Sequence, residues 1–468
     1  MTEDAHEAAA AVAVDRPGAD GDPTDAEATA LACLEAGVAA ALPARVVAAS
    51  ISLDGDTLRV GDASYDLTQF DDLFVVGGGK AADGVATALE RLLGDRIGDG
   101  VVLVDEGPTE PADDAAAGAV RRIRGGHPVP TEAGVAGTAR ALELVRAADE
   151  RTLVLAVVTG GASALFAAPD PAVGVDALTE TTAALLRAGA DVAEINAVRK
   201  HLSRVKGGRL AATAAPATVV GIAISDVVGD DPGVIGSGPT VPDESTFADA
   251  VAVLDRYDLD VPRAVRDHLG RGERGETDET PGPGDPAFDR VTTHVIATAR
   301  TAIDAAAAAA RDRGYEPLVL SSRIRGEARE AGVVHAAVAE EVATTGDPVE
   351  PPAVVLSGGE TTVTVDGDGT GGPNLECALA AGVEFADPRS PLAGRDCAFL
   401  AVDTDGRDGS TDAAGALVTP DTVADRAAAR AALADNDALP ALREAGALLV
   451  TGATGTNVND LRLVVVEE

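Results

Sequence analysis

The feature that most constrains this chain is a repeated rhythm of three parts. A short β-branched run leads into a Gly-rich turn, and the turn into an Ala-rich stretch. It recurs at DLFVV–GGGK–AADGVATALERLLG (72–94), at TLVLAVV–TGGAS–ALFAA (152–168) and at HVIATAR–TAIDAAAAAARDRG (294–314). Apolar runs without alternation are strands that need cover on both faces. Strands spaced by helical stretches pair in parallel. The rhythm therefore predicts an α/β chain whose N-terminal domain is a Rossmann-like α/β/α parallel sheet, with a second α/β domain after it. In such sheets ligands sit at the carboxyl ends of the strands, so the residues that follow each apolar run carry the information.

The 468 residues allow two or three domains of ordinary size. Residues 1–26 read as a disordered acidic tail. A Gly-, Pro- and charge-rich break at GRGERGETDETPGPGDP (270–286) reads as a linker or surface loop. The expected division is a domain over 27–265, a linker over 266–290 and a C-terminal domain over 291–468. The acidic N-terminus lacks the basic and apolar regions of a signal peptide, and no apolar run is long enough for a membrane span. The expected compartment is the cytoplasm. Asp and Glu number 77 against 37 Lys and Arg, a net charge of −40, which repels nucleic acid and anionic membranes. With 46% hydrophobic residues this is not a disordered composition. It suits a globular protein in a salt-rich cytoplasm, where self-repulsion is screened over a few ångströms. Only Lys80, Lys200 and Lys206 are lysines, which makes each a candidate for a specific task. Cys33, Cys377 and Cys397 have no metal or disulfide spacing.

Several post-strand loops could carry chemistry. In VVGGGKAADG (75–84), Gly77, Gly78 and Gly79 let backbone amides approach an anion, the next helix offers its N-terminus, and Lys80 adds charge. Phe74 and Ala81 break the Walker A pattern. The G-x-G-x-x-A spacing (Gly77, Gly79, Ala82) also fits a dinucleotide turn, with Asp105 or Glu106 for the ribose, and a plain strand–helix turn remains open. TGGASAL (159–165) places Ser163 in a similar turn. In EINAVRKHLSRVKGGRLA (194–211), Asn196, Arg199, Lys200, Arg204, Lys206 and Arg209 form a basic cluster in an acidic chain, fit for a carboxylate or phosphate; an internal salt-bridge surface is the alternative. Asp226, directly after GIAIS, suits Mg²⁺. In the C-terminal part, Glu360 follows Ser357, Gly358 and Gly359. Asp403, Asp405 and Asp408 share one loop that could hold Mg²⁺ or accept a hydroxyl proton. TGATGTNVNDL (451–461) could meet a nucleotide through Thr454 and Asn457. His127, in GGHPVP, reads as a structural histidine.

Taken together, GGGKAA, GGHPVPTEAG, TGGASAL, INAVRKHLSRVKGGRLA, SDVVGDDPGVIGSGPTV, LSGGETTVTV, DTDGRDGSTDAAGA and TGTNVNDL resemble, in order, the glycerate 2-kinase family with its C-terminal MOFRL domain. The resemblance implies transfer of the ATP γ-phosphoryl group to the 2-hydroxyl of D-glycerate with Mg²⁺. It also implies a mixed sheet in the C-terminal domain and a site in the interdomain cleft. Lys80 would stabilise the transferring group and Asp405 would act as base or metal ligand. Gly77–Gly79, Ser357–Glu360, Thr454 and Asn457 would bind nucleotide. Ser163, Asn196, Arg199 and Lys206 would bind substrate, and Asp226, Asp403 and Asp408 the metal. A homodimer is compatible with it. One departure stands out: Pro373-Asn374-Leu375-Glu376 replaces the family's Arg-Asn-Gln-Glu, leaving Arg323, Arg325 and Arg407 as substitutes. The rival expectations are an NAD(P)H-dependent hydroxypyruvate reductase and a weakly catalytic nucleotide or hydroxy-acid binding protein.

Overall fold

The structure is a computed structural model that describes residues 12–19, 21–105 and 118–468. The chain divides into two compact units. One spans Val46–Ile296; the other combines residues up to Arg45 with Ala297–Glu468.

Helix α1 (Asp25–Ala41) opens on a capping box between Thr24 and Glu27, and α2 (Pro43–Ser50) follows. A small antiparallel sheet comes next: β1 (Ile51–Asp54), β2 (Thr57–Val60) and β3 (Ala63–Asp66). The main sheet of the Val46–Ile296 unit begins with β4 (Asp72–Gly78), α3 (Ala82–Leu93), β5 (Asp99–Val104), β6 (Val120–Arg124), α4 (Glu132–Arg146) and β7 (Thr152–Val158). It continues through α5 (Ala162–Leu165), α6 (Gly174–Arg187), α7 (Val192–His201), α8 (Arg209–Ala214), β8 (Thr218–Ile224), α9 (Phe247–Arg256), α10 (Arg263–Glu273) and β9 (Val291–Ala297). Strand order is β6-β5-β4-β7-β8-β9, with the first five strands parallel. This is the doubly wound order whose direction reverses between β4 and β7, the switch point at which such sheets open a crevice for ligands. Every residue of β7 is buried, as an apolar run covered on both faces requires.

The second unit contains α11 (Ala299–Asp312), β10 (Glu316–Ile324), α12 (Ala328–Thr345), β11 (Ala353–Gly359), α13 (Pro373–Phe385) and β12 (Cys397–Asp403). It ends with β13 (Gly415–Val418), α14 (Arg426–Ala434), α15 (Ala438–Glu444), β14 (Leu448–Leu449) and β15 (Asp460–Val466). The order β10-β11-β15-β12-β13-β14 has one parallel pair, β10 with β11, and antiparallel pairs elsewhere. The expected two-domain α/β class, parallel then mixed, is what folds. Among the described residues no single helix is long and apolar enough to cross a membrane.

The domain boundaries differ from those expected. Helix α1 packs with the C-terminal unit: Ala26, Ala30, Leu34 and Val38 share a core with Ile303, Ala306 and Leu463. Small alanine faces let α1 and α11 approach closely, and this is how a chain with 2% aromatic residues fills its interior. The expected acidic tail is partly built in. Asp15 and Val450 exchange backbone hydrogen bonds of 2.8 and 2.9 Å, and Arg16 pairs with Glu27 at 2.5 Å; residues 1–11 lie outside the described residues. The expected linker is also structured. Leu269 of α10 belongs to the core with Phe247 and Leu254, and Thr280 is buried. Its polar composition misled because, past α10, hydrogen bonds tie the segment down: Glu279 meets His201 Nε2 at 3.1 Å and the Phe247 amide at 3.1–3.2 Å.

Candidate functional site

In the Val46–Ile296 unit the first and second loops meet at the switch point. A Cβ on Gly77 would lie 1.8 Å from the Val157 carbonyl oxygen, so β4 and β7 run too close for any side chain there. The glycines of the G-x-G-x-x-A match thus serve strand packing, which accounts for the spacing without a dinucleotide. The Lys80 amide donates to the Gly160 carbonyl at 2.8 Å, and the Ala81 amide to Thr159 Oγ1 at 3.1 Å. Helix α3 has no side-chain cap at Ala81, which leaves first-turn amides for an anion. Gly161 (φ +80°) is the crossing point: a Cβ there would be 3.3 Å from Lys80 Cγ and 3.0 Å from His127 Cδ2. One carboxylate oxygen of Asp226 reaches within 2.5 Å of the corresponding point on Gly160. Lys80, His127 and Asp226 therefore converge on the 160–161 turn. Sequence reasoning placed His127 outside the site; its only signal was its position after β6.

Beside this turn runs a chain of hydroxyls and an amide. Ser163 Oγ and Ser237 Oγ are 2.9 Å apart, and Ser237 Oγ donates to Asn196 Oδ1 at 2.9 Å. Ser237 has φ +65°, a left-handed conformation unfavourable for a serine, between Gly236 and Gly238 with φ of +57° and +65°. Three successive carbonyls fix this turn. Gly236 accepts from Lys206 Nζ (3.4 Å), Ser237 from the Gly207 amide (3.0 Å) and Gly238 from the Gly208 amide (2.7 Å). Ser237 was not singled out from sequence, although the GSG pattern marks it.

The basic segment divides. Lys200 is a structural partner of Asp243, with Nζ–Oδ1 at 3.0 Å. Lys206 is fully enclosed, 1% exposed. Burial, reinforced by the nearby Arg199 charge, pushes its ammonium down to about 7. Arg199 is half-buried and touches Thr182 Oγ1 at 3.5 Å, and burial lowers its pKa as well. Two cations thus share a desolvated region, each working against the other's charge.

In the second unit the sequence-predicted residues divide into those that face inward and those that do not. Ser357 is wholly buried, and its hydroxyl bonds His335 Nε2 at 2.7 Å. His335 Nδ1 lies 2.6 Å from the Ala331 carbonyl and so carries the proton, and burial pushes the imidazole down to about 4. Ser357 therefore holds α12 to the sheet and is withdrawn from a nucleotide. Asp408, 1% exposed, accepts from the amides of Asn374 (2.9 Å) and Leu375 (2.7 Å) and from Asn374 Nδ2 (3.2 Å). It caps α13 from outside the helix, a task that occupies both oxygens and takes it out of the metal set. Burial, with Asp460 adding repulsion, pushes it up to about 7 against those hydrogen bonds. Asn374 Nδ2 also reaches Asp460 Oδ1 at 2.7 Å, and Asp460 pairs with the fully buried Arg462. Pro373 is the first residue of α13, where a missing N–H costs nothing.

Thr454 Oγ1 donates to the Thr404 carbonyl at 2.7 Å, and Asn457 Oδ1 accepts from the Asn459 amide at 3.0 Å, so both shape their own loop. Gly358 and Gly359 end β11, followed by the exposed Glu360. Asp403 Oδ1 accepts the Asp405 amide at 3.0 Å, and Asp405 Oδ1 the Arg407 amide at 2.9 Å; both carboxylates are half-buried at the end of β12. Among the described residues no three acidic, His or Cys side chains cluster as a metal site. Mg²⁺ needs fewer, since it binds through one or two carboxylates plus substrate phosphates.

Residues 29–270 match the family described as Domain of unknown function (DUF4147), and residues 353–460 match the MOFRL family. The chain is 37% identical to glycerate 2-kinase of Pyrococcus horikoshii, over 92% of this chain and 94% of that one. It is 40% identical to a putative hydroxypyruvate reductase of Agrobacterium vitis, over 84% and 86%. A crystal structure of glycerate kinase from Thermotoga maritima superposes with a TM-score of 0.78 at 36% identity, covering 94% of this chain and 99% of that one. Fold, loop order and these matches agree: the chain belongs to the glycerate kinase family, a DUF4147 domain followed by a MOFRL domain.

Proposed function

We propose that the chain transfers the γ-phosphoryl group of ATP to the 2-hydroxyl of D-glycerate, giving 2-phosphoglycerate and ADP. The observation that carries this reading is the desolvated pair Arg199 and Lys206 beside the Ser163–Ser237–Asn196 chain. An anion with adjacent hydroxyls matches both halves of that arrangement. A substrate carboxylate offsets the desolvation and mutual repulsion of the cations, and the hydroxyls find hydrogen-bond partners in Ser163 and Asn196. Arg199 is the cation able to touch the carboxylate. Lys206, being enclosed, acts through its field and by holding the Gly236 carbonyl.

Lys80 and the open first turn of α3 suit the transferring phosphoryl group, where positioning and charge neutralisation supply most of the catalysis. The 2-hydroxyl oxygen attacks the γ-phosphorus as the bond to the β–γ bridging oxygen breaks, and its proton passes to Asp405. Asp226 in the Val46–Ile296 unit and Asp403 in the other are each a carboxylate proposed as a ligand for Mg²⁺, which would neutralise charge on the phosphates. Gly77–Gly79, Gly358, Gly359 and Glu360 remain the proposed nucleotide contacts.

Purified protein in high KCl is given D-glycerate, ATP and Mg²⁺, with ADP release measured and the phosphorylated carbon read by ³¹P NMR. Hydroxypyruvate with NADH or NADPH is run beside it. ADP release with phosphorus on carbon 2 supports the proposal. Oxidation of the nicotinamide without ADP release points instead to the reductase activity named for one relative. Silence in both, with ATP bound, leaves a binding protein.

A further inference from the structure

The basic stretch that reads as one cluster in sequence serves three places in the fold. Arg199 and Lys206 belong with the Ser237 turn, and Lys200 with Asp243. Arg204 and Arg209 turn elsewhere, and with Arg146 they line a cavity of about 600 Å³. Arg146 is the last residue of α4, at the end from which the chain leads into the start of β7. Thr213, on the same wall, lies on α8 just before β8. The cavity thus lies toward the amino ends of the strands, whereas the Lys80 loop lies at their carboxyl ends.

Its charge is what composition least leads one to expect. The chain carries 77 acidic residues against 37 basic ones, yet among the described residues none of these three arginines forms an ion pair. Arg204 Nε donates to the Pro169 carbonyl at 3.2 Å, and Arg209 Nη2 to the Asp278 carbonyl at 3.4 Å. Arg209 Nε is buried with no acceptor at all. Two acids also line the cavity, Glu279 and Asp285. Both are held by other groups: Glu279 by His201 and the Phe247 amide, and Asp285 by the Ala287 amide at 2.9 Å. Burial works against the Arg209 charge, and the carboxylates of Glu279, Asp170, Asp243 and Asp278 offset that only in part; an oxyanion on Nε would add a direct partner.

We propose that this cavity is a second anion site that binds a phosphate group, free or as a small phosphate monoester, apart from the place of phosphoryl transfer. Guanidinium groups present paired donors that match phosphate oxygens, and three of them around one cavity exceed what a single carboxylate can use.

Isothermal titration tests it with the full chain, at the lowest KCl that keeps the protein folded, because chloride competes. The background is Lys80→Ala, which suppresses phosphate binding at the proposed transfer site. The probes are inorganic phosphate and glycerol 2-phosphate. The Lys80→Ala protein is expected to bind one phosphate per chain. Adding Arg146→Gln and Arg204→Gln is expected to weaken binding at least about tenfold. Lysine at the same two positions is expected to keep the affinity within about threefold, since a point charge still attracts phosphate. Whichever probe binds more tightly identifies the source, free phosphate or an organic monoester. Equal affinity with and without the glutamines overturns the proposal, and so does the absence of heat with both probes. Circular dichroism of each variant confirms that it is folded, and the lysine pair separates loss of charge from loss of structure. Neither arm depends on whether the chain is a kinase.

Discussion

Replacing Lys206 with methionine tests whether this chain gives up stability for binding. The ammonium stands at about 7 in the folded protein, against an ordinary 10.5. A displacement of that size corresponds to about 4 kcal/mol at pH 7, an order-of-magnitude figure. The sign follows from proton counting. Between the two values the unfolded chain holds more protons than the folded one, so stability rises with pH across that window and falls as pH drops toward 7. Methionine keeps the length and apolar stem of the side chain. It loses the 3.4 Å bond to the Gly236 carbonyl, worth about 1 kcal/mol. The variant should therefore be more stable than the parent by about 2–3 kcal/mol at pH 7, and the gap should close by about pH 10. Urea unfolding of both proteins at one KCl concentration, from pH 6.5 to 10, measures it. Other titrating groups are common to both proteins and cancel in the difference. Parallel pH profiles, or a gap that widens as pH rises, would refute the buried-charge account. The same variant should raise KM for D-glycerate by about tenfold or more, because a charge worth this much to an anionic ligand is gone.

Three further outcomes follow from the site. Lys80→Ala should lower kcat by at least about a hundredfold with little change in the urea midpoint; near-normal turnover removes Lys80 from phosphoryl transfer. Ser357→Ala should leave KM for ATP unchanged while costing about 1–3 kcal/mol of stability, since it strips His335 Nε2 of its partner in a closed interior; a raised KM with unchanged stability would restore Ser357 to the nucleotide site. Asp408→Asn should flatten stability between about pH 4 and 7. The aspartate is held above its unfolded value, so the folded protein retains a proton the unfolded chain has lost and its stability falls as pH rises through that window; an unchanged slope in urea titrations counts against that.

What the sequence made legible is what periodicity and loop chemistry encode. The strand–turn–helix rhythm gave both α/β units, and post-strand position gave Lys80, Ser163 and Asp226, which the fold brings to neighbouring turns. Burial direction was not legible. Ser357 and Asp408 lie in motifs rich in exposed-looking polar residues, yet one turns under α12 and the other under α13. A polar residue that serves as an internal partner has the same one-letter code as one that serves a ligand. The basic segment shows the same limit at finer scale, with its lysines and arginines parting among three environments over eleven residues, Arg199 to Arg209. His127 and Ser237 were missed because their part depends on what packs beside them, Gly161 in one case and Asn196 in the other.

The place of α1 also bears on how the molecule is made. Its partners in the core, Ile303, Ala306 and Leu463, are supplied only after some 250 intervening residues have formed a unit of their own. During synthesis, then, α1 waits with an apolar alanine and leucine face uncovered while the parallel sheet folds, and the long loop it closes slows its docking. A fragment beginning at Ala297 lacks that helix and leaves Ile303 and Leu463 open to solvent. It should aggregate unless a peptide spanning Asp25–Ala41 is supplied in trans.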